Sequence, residues 1–286
     1  MLLVMLDSIL DALFDSLKIL PYLLVTFLLL ELIEHKFSKK SQKILSERRK
    51  LGPLIGGVIG ALPQCGFSAM AANLFSNRVI TIGTLIAIFL STSDEMLPVM
   101  LSEGADPSIM LKIIGAKVLI AIILGFIIDF FYAKIAPKQN AKEIVKELCE
   151  HDHCGCEKDK ILTSAIKHTL KTIAFVLGIN LIINLIIFYI GEENLSNLLL
   201  GGNIFTYFLA SLIGLVPNCA GSIIITELYL SGLITIGTLF AGLLTGSGIG
   251  ILLLFKSNKN IKQNINILVT IYLVGVIVGL IVDLLF

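Results

Sequence analysis

The stretch GALPQCGFSAM, Gly60 to Met70, decides how this chain folds. It sets Pro63, Gln64, Cys65 and Gly66 inside an apolar run, Leu51–Ser76, where a helix should be most regular. Proline removes a backbone donor and glycine admits unusual dihedrals, so Pro63 stops one half-helix and Gly66 permits a bend. Each arm is about 11 residues, roughly 16 Å of helix, which is half a bilayer. The run therefore reads as a hairpin that enters a membrane and returns on the same face.

The rest of the chain agrees with a membrane setting. Of 286 residues 56% are hydrophobic and 15% charged, and the mean hydropathy is +0.94. These values exclude an ordinary soluble domain. Apolar runs of spanning length alternate with short polar loops. The net charge of +1 gives no reason to expect a nucleic-acid partner. The N-terminus carries Asp7, Asp11 and Asp15 and no basic segment, so a cleaved signal peptide is not expected. The five cysteines do not form a disulfide scaffold: Cys65 and Cys219 fall in apolar runs, and Cys149, Cys154 and Cys156 crowd one polar loop.

The chain repeats itself. GALPQCGFSAMAANLFSNRVITIGTLIAIFL aligns without a gap to GLVPNCAGSIIITELYLSGLITIGTLFAGLL, with every pair 154 positions apart. Pro63 meets Pro217, Cys65 meets Cys219, Ser68 meets Ser222, and further on Asp129 meets Asp283. Internal repeats are the usual plan of secondary transporters.

Loop charges orient the chain. Glu34–Lys50 is strongly basic and is expected in the cytoplasm, as are Lys134–Lys160 and Lys256–Lys262. Ser102–Ser108 and Gly191–Asn197 carry no Lys or Arg and are expected outside. Matching loops of the two repeats thus fall on opposite sides, so the repeats are inverted. The expectation is an all-α polytopic membrane protein of two inverted repeats, each with three spanning helices and one re-entrant broken-helix hairpin. The spans are about Ile19–His35, Val79–Leu101, Ile109–Ala133, Ile166–Ile190, Leu233–Phe255 and Ile267–Phe286. The second hairpin, about Ile204–Leu230, bends at Pro217–Ser222, where Gly221 again permits it. The organisation is an amphipathic N-terminal helix (1–18) on the outer surface, repeat 1 (19–136), a cytoplasmic Cys/His loop (137–160) and repeat 2 (161–286).

Irregular backbone at membrane depth is tolerated only where protein or a water-filled cavity satisfies it. The two tips therefore mark a substrate site near the midplane, built from Gln64, Cys65, Asn218 and Cys219, with Ser68 and Ser222 one turn further on. Paired thiols favour soft species such as Zn, Cd, Cu(I) or trivalent arsenic over Mn, Mg or Ca. Buried cysteine also serves as a small apolar filler, and the matched position of two argues for ligands here. Asp94 and Glu95 interrupt a span, and acids there are expensive and usually functional. Lys117 lies at a similar depth on the next span and is placed to pair with Asp94. These three, with Glu227, are the candidates for proton coupling or direct cation ligation. Asp129 and Asp283, near helix ends, read as shared packing elements. Glu31, Glu34 and His35 read as interfacial. Cys149, His151, His153, Cys154 and Cys156 form a tract suited to labile metal binding, away from the transport site.

LPYLLVTFLLLELIEH, GALPQCGFSA, RVITIGTLIAIFLSTSDEMLP, GLVPNCAGS and LITIGTLFAGLLTGSGIG run in order along nearly the whole chain. On these segments the sequence resembles the ten-transmembrane heavy-metal exporter family, whose members are described as arsenic efflux permeases or manganese transporters. The resemblance implies export of a metal or metalloid across the inner membrane. No Walker motif is present, so the chain is expected to be a secondary transporter and not an enzyme. Its expected partners are the lipid bilayer, the metal or metalloid substrate and protons. No tightly bound cofactor is expected beyond a transported or loop-bound metal ion. The alternatives are a Mn²⁺ transporter using Asp94, Glu95 and tip carbonyls, and a membrane thiol–disulfide enzyme using Cys65 and Cys219.

Overall fold

The computed structural model describes residues 51–62, 65–76, 78–92, 96–135, 204–217 and 219–285, with isolated positions elsewhere. The expected N-terminal helix and the Cys/His loop lie outside the described residues, and so do all but Leu24 of the first span and most of the span Ile166–Ile190. The described segments form helices: α1 Gly52–Gly60, α2 Cys65–Ser76, α3 Ile82–Ser91, α4 Met96–Ser102, α5 Pro107–Ile135, α6 Phe205–Gly214, α7 Cys219–Leu230, α8 Ile236–Thr245, α9 Ile249–Ser257 and α10 Ile261–Leu285. No strand occurs among the described residues.

The 154-residue repeat is visible contact by contact. A Cβ added to Gly60 would lie 2.1 Å from Ser91 Oγ and 2.7 Å from the Ile88 carbonyl oxygen; one added to Gly214 would lie 2.1 Å from the Gly242 carbonyl and 2.3 Å from Thr245 Oγ1. Only glycine lets α1 touch α3, and α6 touch α8, at those levels. Gly83 abuts the Gly125 carbonyl as Gly237 abuts that of Gly279. The ends of α2 and α7 match as well. Val79 N donates to Leu74 O and Arg78 N to Phe75 O, while Leu233 N donates to Leu228 O and Gly232 N to Tyr229 O. Arg78 (φ 60°) and Gly232 (φ 71°) occupy the same left-handed cap position.

These contacts set directions. Gly52 faces Thr84 at the start of α3, and Gly60 faces Ser91 at its end, so α1 and α3 run parallel. The chain leaving α1 must return through α2 before α3 can begin. In the second half Ser211 Oγ bonds Ala241 O, and Gly214 abuts Gly242 and Thr245, so α6 and α8 are likewise parallel.

Among the described residues four stretches are long and apolar enough to cross a membrane: Ile82–Ser102, Pro107–Tyr132, Ile236–Ser257 and Ile261–Leu285. The first and third are 73% and 78% buried, the other two 22% and 28%. The former are therefore central. The latter present apolar stripes outward, such as Ile265, Val269, Leu273, Ile277 and Ile281 on α10. Four-residue spacing puts such positions on one helix face.

Two expectations need correction. The spans Val79–Leu101 and Leu233–Phe255, read as continuous, are each interrupted. Helix α3 ends at Thr92, whose backbone turns extended (ψ 130°) and whose hydroxyl bonds back to Ile88 O. Helix α8 ends at Gly246, and Gly248 takes φ 52°, ψ −139°. Poor helix formers stand at both places, and buried neighbours satisfy the freed backbone. The glycines Gly66 and Gly221 do not supply unusual dihedrals at the bends, since both are helical. Gly221 instead allows close approach: an added Cβ would lie 2.8 Å from Ile213 O.

Candidate functional site

The two interruptions are joined by one side chain. Lys117, on α5, is 0% exposed. Its Nζ donates to Thr92 O at 2.6 Å and to Leu243 O at 3.0 Å. Thr92 is the C-cap of α3, and Leu243 lies in the last turn of α8. Helix C-termini carry partial negative charge and unpaired carbonyls, which suit a cation. A single ammonium thus satisfies the carbonyl ends of both interrupted helices, one from each half. Asp94, the partner expected from the sequence, and Glu95 lie outside the described residues.

Helices α2 and α7 pack on the interrupted stretches: Gly250 of α9 meets Ser68, and Gly242 of α8 meets Ile225. Cys65 and Cys219 each begin a helix, α2 and α7. Gln64 and Asn218 are outside the described residues. Ser68 is fully buried, and Ser222 is half-buried. Helix α2 packs along α9. A Cβ on Gly250 would lie 2.8 Å from Ser68 Cβ and 2.8 Å from Phe89 Cε1, and further on Ser257 Oγ donates to Asn73 Oδ1 at 2.8 Å. The pairs Ser68–Gly250 and Asn73–Ser257 make α2 and α9 parallel, so their N-terminal ends lie side by side. Among the described residues two buried polar atoms have no hydrogen-bond partner, Asn73 Nδ2 and Ser247 Oγ. Glu227, the remaining coupling candidate, is exposed in the last turn of α7. The metal-tract candidates Cys149, His151, His153, Cys154 and Cys156 lie outside the described residues, and no cluster of three metal-binding side chains occurs among the described ones.

The paired aspartates hold the scaffold. Asp129 Oδ1 accepts from Gly83 N at 2.7 Å and Oδ2 from Thr81 Oγ1 at 2.6 Å. Asp283 accepts from Gly237 N at 2.7 Å and from Thr235 Oγ1, and also from Tyr207 OH at 2.6 Å. Thr81 and Thr235 are the N-caps of α3 and α8, each accepting from the amide three residues on. Each carboxylate thus fixes the start of an interrupted helix. The repeated TIGT carried this signal in the sequence, a capping threonine just before an apolar helix. The interruptions fall where STSDE aligns on TGSGI.

The chain matches the family described as "Putative, 10TM heavy-metal exporter" over residues 3–188 and again over 157–286. It belongs to this family. It is accordingly a multi-pass membrane protein of a heavy-metal export family, with the lipid bilayer around its apolar helices. No curated protein and no solved structure matches it.

Proposed function

We propose that the protein is an inverted-repeat secondary transporter of the inner membrane that exports a heavy-metal or metalloid species in exchange for protons. Its substrate site lies where α2 and α7 begin, with Gln64, Cys65, Asn218 and Cys219 as principal groups and Ser68 and Ser222 behind them. Asp94, Glu95 and Lys117 couple proton movement to substrate movement, with Glu227 a peripheral member.

The observation that carries this reading is the Lys117 bridge between two buried, interrupted helices. Discontinuous helices meeting inside a bundle are how secondary transporters expose backbone groups to an ion or substrate. The parallel run of α1 and α3 supports a re-entrant first hairpin, because it returns Arg78 to the level of Leu51. The parallel run of α2 and α9 supports inversion. Helix α2 runs against α3, and α9 extends the stretch begun by α8, so α3 and α8 point in opposite directions. An ion pair or tether between moving halves must open and re-form during alternating access, which makes Lys117 a natural coupling element.

The test is uptake of As(III), Zn²⁺, Cd²⁺ and Mn²⁺ into everted vesicles, with and without a pH gradient. Soft-metal or metalloid uptake should need the gradient and should collapse to the empty-vesicle background in the Cys65→Ser, Cys219→Ser double variant. Full uptake by that variant would remove the thiols from the site, and surviving Mn²⁺ uptake alone would move the ligands to oxygen.

A further inference from the structure

Ser247 stands in the three-residue gap between α8 and α9 and is 1% exposed. Its backbone is fully engaged: Ser247 N donates to Thr245 O at 2.8 Å, and Ser247 O accepts from Gly250 N at 3.2 Å. Among the described residues its Oγ has no hydrogen-bond partner. A buried hydroxyl left unpaired is costly, and one that persists at a helix break calls for a ligand.

The surroundings say what kind. Helix α9 begins two residues later, behind Gly248, and has no side-chain cap. Helix α2 runs alongside it, with Ser68 packed on Gly250. Three residues before Ser68 stands Cys65, the first residue of α2, and three before Gly250 stands Ser247. Two helix N-termini, with their free N–H groups and partial positive charge, therefore lie next to one hydroxyl and one cysteine position. Four residues before Ser247, the Leu243 carbonyl is already held by the Lys117 ammonium. The negative helix ends at this centre are thus met by a resident cation, while α9 begins without a side-chain cap.

We propose that the α8–α9 gap, with Ser247 Oγ and the first N–H groups of α9, binds oxygen atoms of the transported species. This rests on the export reading above and sharpens it. The cargo is a hydroxylated metalloid or oxyanion, with its oxygens toward Ser247 and the start of α9. A bare divalent cation would face two positive helix ends and a lysine there. An oxygen acceptor would meet the Ser247 hydroxyl and the first N–H groups of α9.

The probe is arsenite, which carries hydroxyl groups on arsenic in neutral water, set against ZnCl₂. Purified full-length protein is titrated with each while its Tm is followed, and everted vesicles are assayed for uptake of both. Arsenite should raise the Tm of the wild type. Ser247→Ala should weaken that binding about tenfold, and Ser247→Thr, which keeps a hydroxyl, should retain it. Without ligand, Ser247→Ala should melt no lower than wild type, because its hydroxyl has no bond to lose. Unchanged arsenite binding in Ser247→Ala overturns the proposal, and so does a lower Tm of that variant without ligand. Wild-type protein that binds and transports Zn²⁺ but not arsenite overturns it while leaving export intact. Vesicles that accumulate neither, together with Mn²⁺ and Cd²⁺ controls at background, remove the export reading as well.

Discussion

Residues 52–135 and 206–285 build one scaffold twice, yet Lys117 in the first half has Ile271 as its counterpart in the second, and Thr92 has Gly246. The shared parts are the glycine contacts of α1 on α3 and α6 on α8, the threonine caps, and the aspartates that hold them. Differing parts stand at the two helix interruptions, among other places. A duplicated scaffold keeps what both halves need for packing. A transporter needs only one ammonium at the crossing, because one cation reaches the carbonyl ends from both halves. The asymmetry therefore points to the working centre, and the symmetry to its frame.

Variants can break this comparison or sharpen it. The largest effect lies in the frame. Valine at Gly83 or Gly237 would drive a Cβ to 2.2 or 2.3 Å from the carbonyl oxygen of Gly125 or Gly279. Each should cost about 3 kcal/mol, read as a lower Tm and loss of monodisperse protein on size exclusion. Equal damage in both halves is expected, and a tolerated valine in one would break the equivalence.

Next comes the centre. Lys117→Met removes the donor to Thr92 O and Leu243 O and should cost about 2 kcal/mol while abolishing vesicle uptake. Its counterpart Ile271→Met should cost below about 1.5 kcal/mol and leave uptake in place. Comparable transport by both variants would mean the asymmetry is incidental.

A comparable loss of stability, without a direct loss of the central bridge, is expected at the caps. Asp129→Ala and Asp283→Ala should each lower stability by about 2 kcal/mol, measured by thermal unfolding in detergent. Asp283→Ala also strands Tyr207 OH. Tyr207→Phe alone should cost about 1 kcal/mol, an effect without a partner in the first half, where Pro53 occupies that position.

The smallest sharpens the comparison at the turns. Gly232→Ala should lose about 1 kcal/mol, because its φ of 71° suits only glycine well. Arg78 carries that backbone strain already, at φ 60°. A Tm change beyond a few degrees at Gly232 would indicate a tertiary role for that turn.

Much of the frame could be read before any coordinates. The apolar composition and the 154-residue register require helices in a duplicated membrane fold, since only internally bonded segments survive in hydrocarbon. Pro63 and Pro217 mark where half-helices stop, and the pairing of Asp129 with Asp283 marks a packing role. What local pattern could not decide was whether STSDE and TGSGI would stay helical. Weak helix formers break only where neighbours satisfy the released carbonyls, and that satisfaction comes from Lys117, which reaches Leu243 across 126 positions. Nor could it set Ser247 beside the start of α2. Sequence periodicity reports which face of a helix is apolar. Which helix end meets which is settled by close packing of distant segments, and in this protein those meetings form the candidate site.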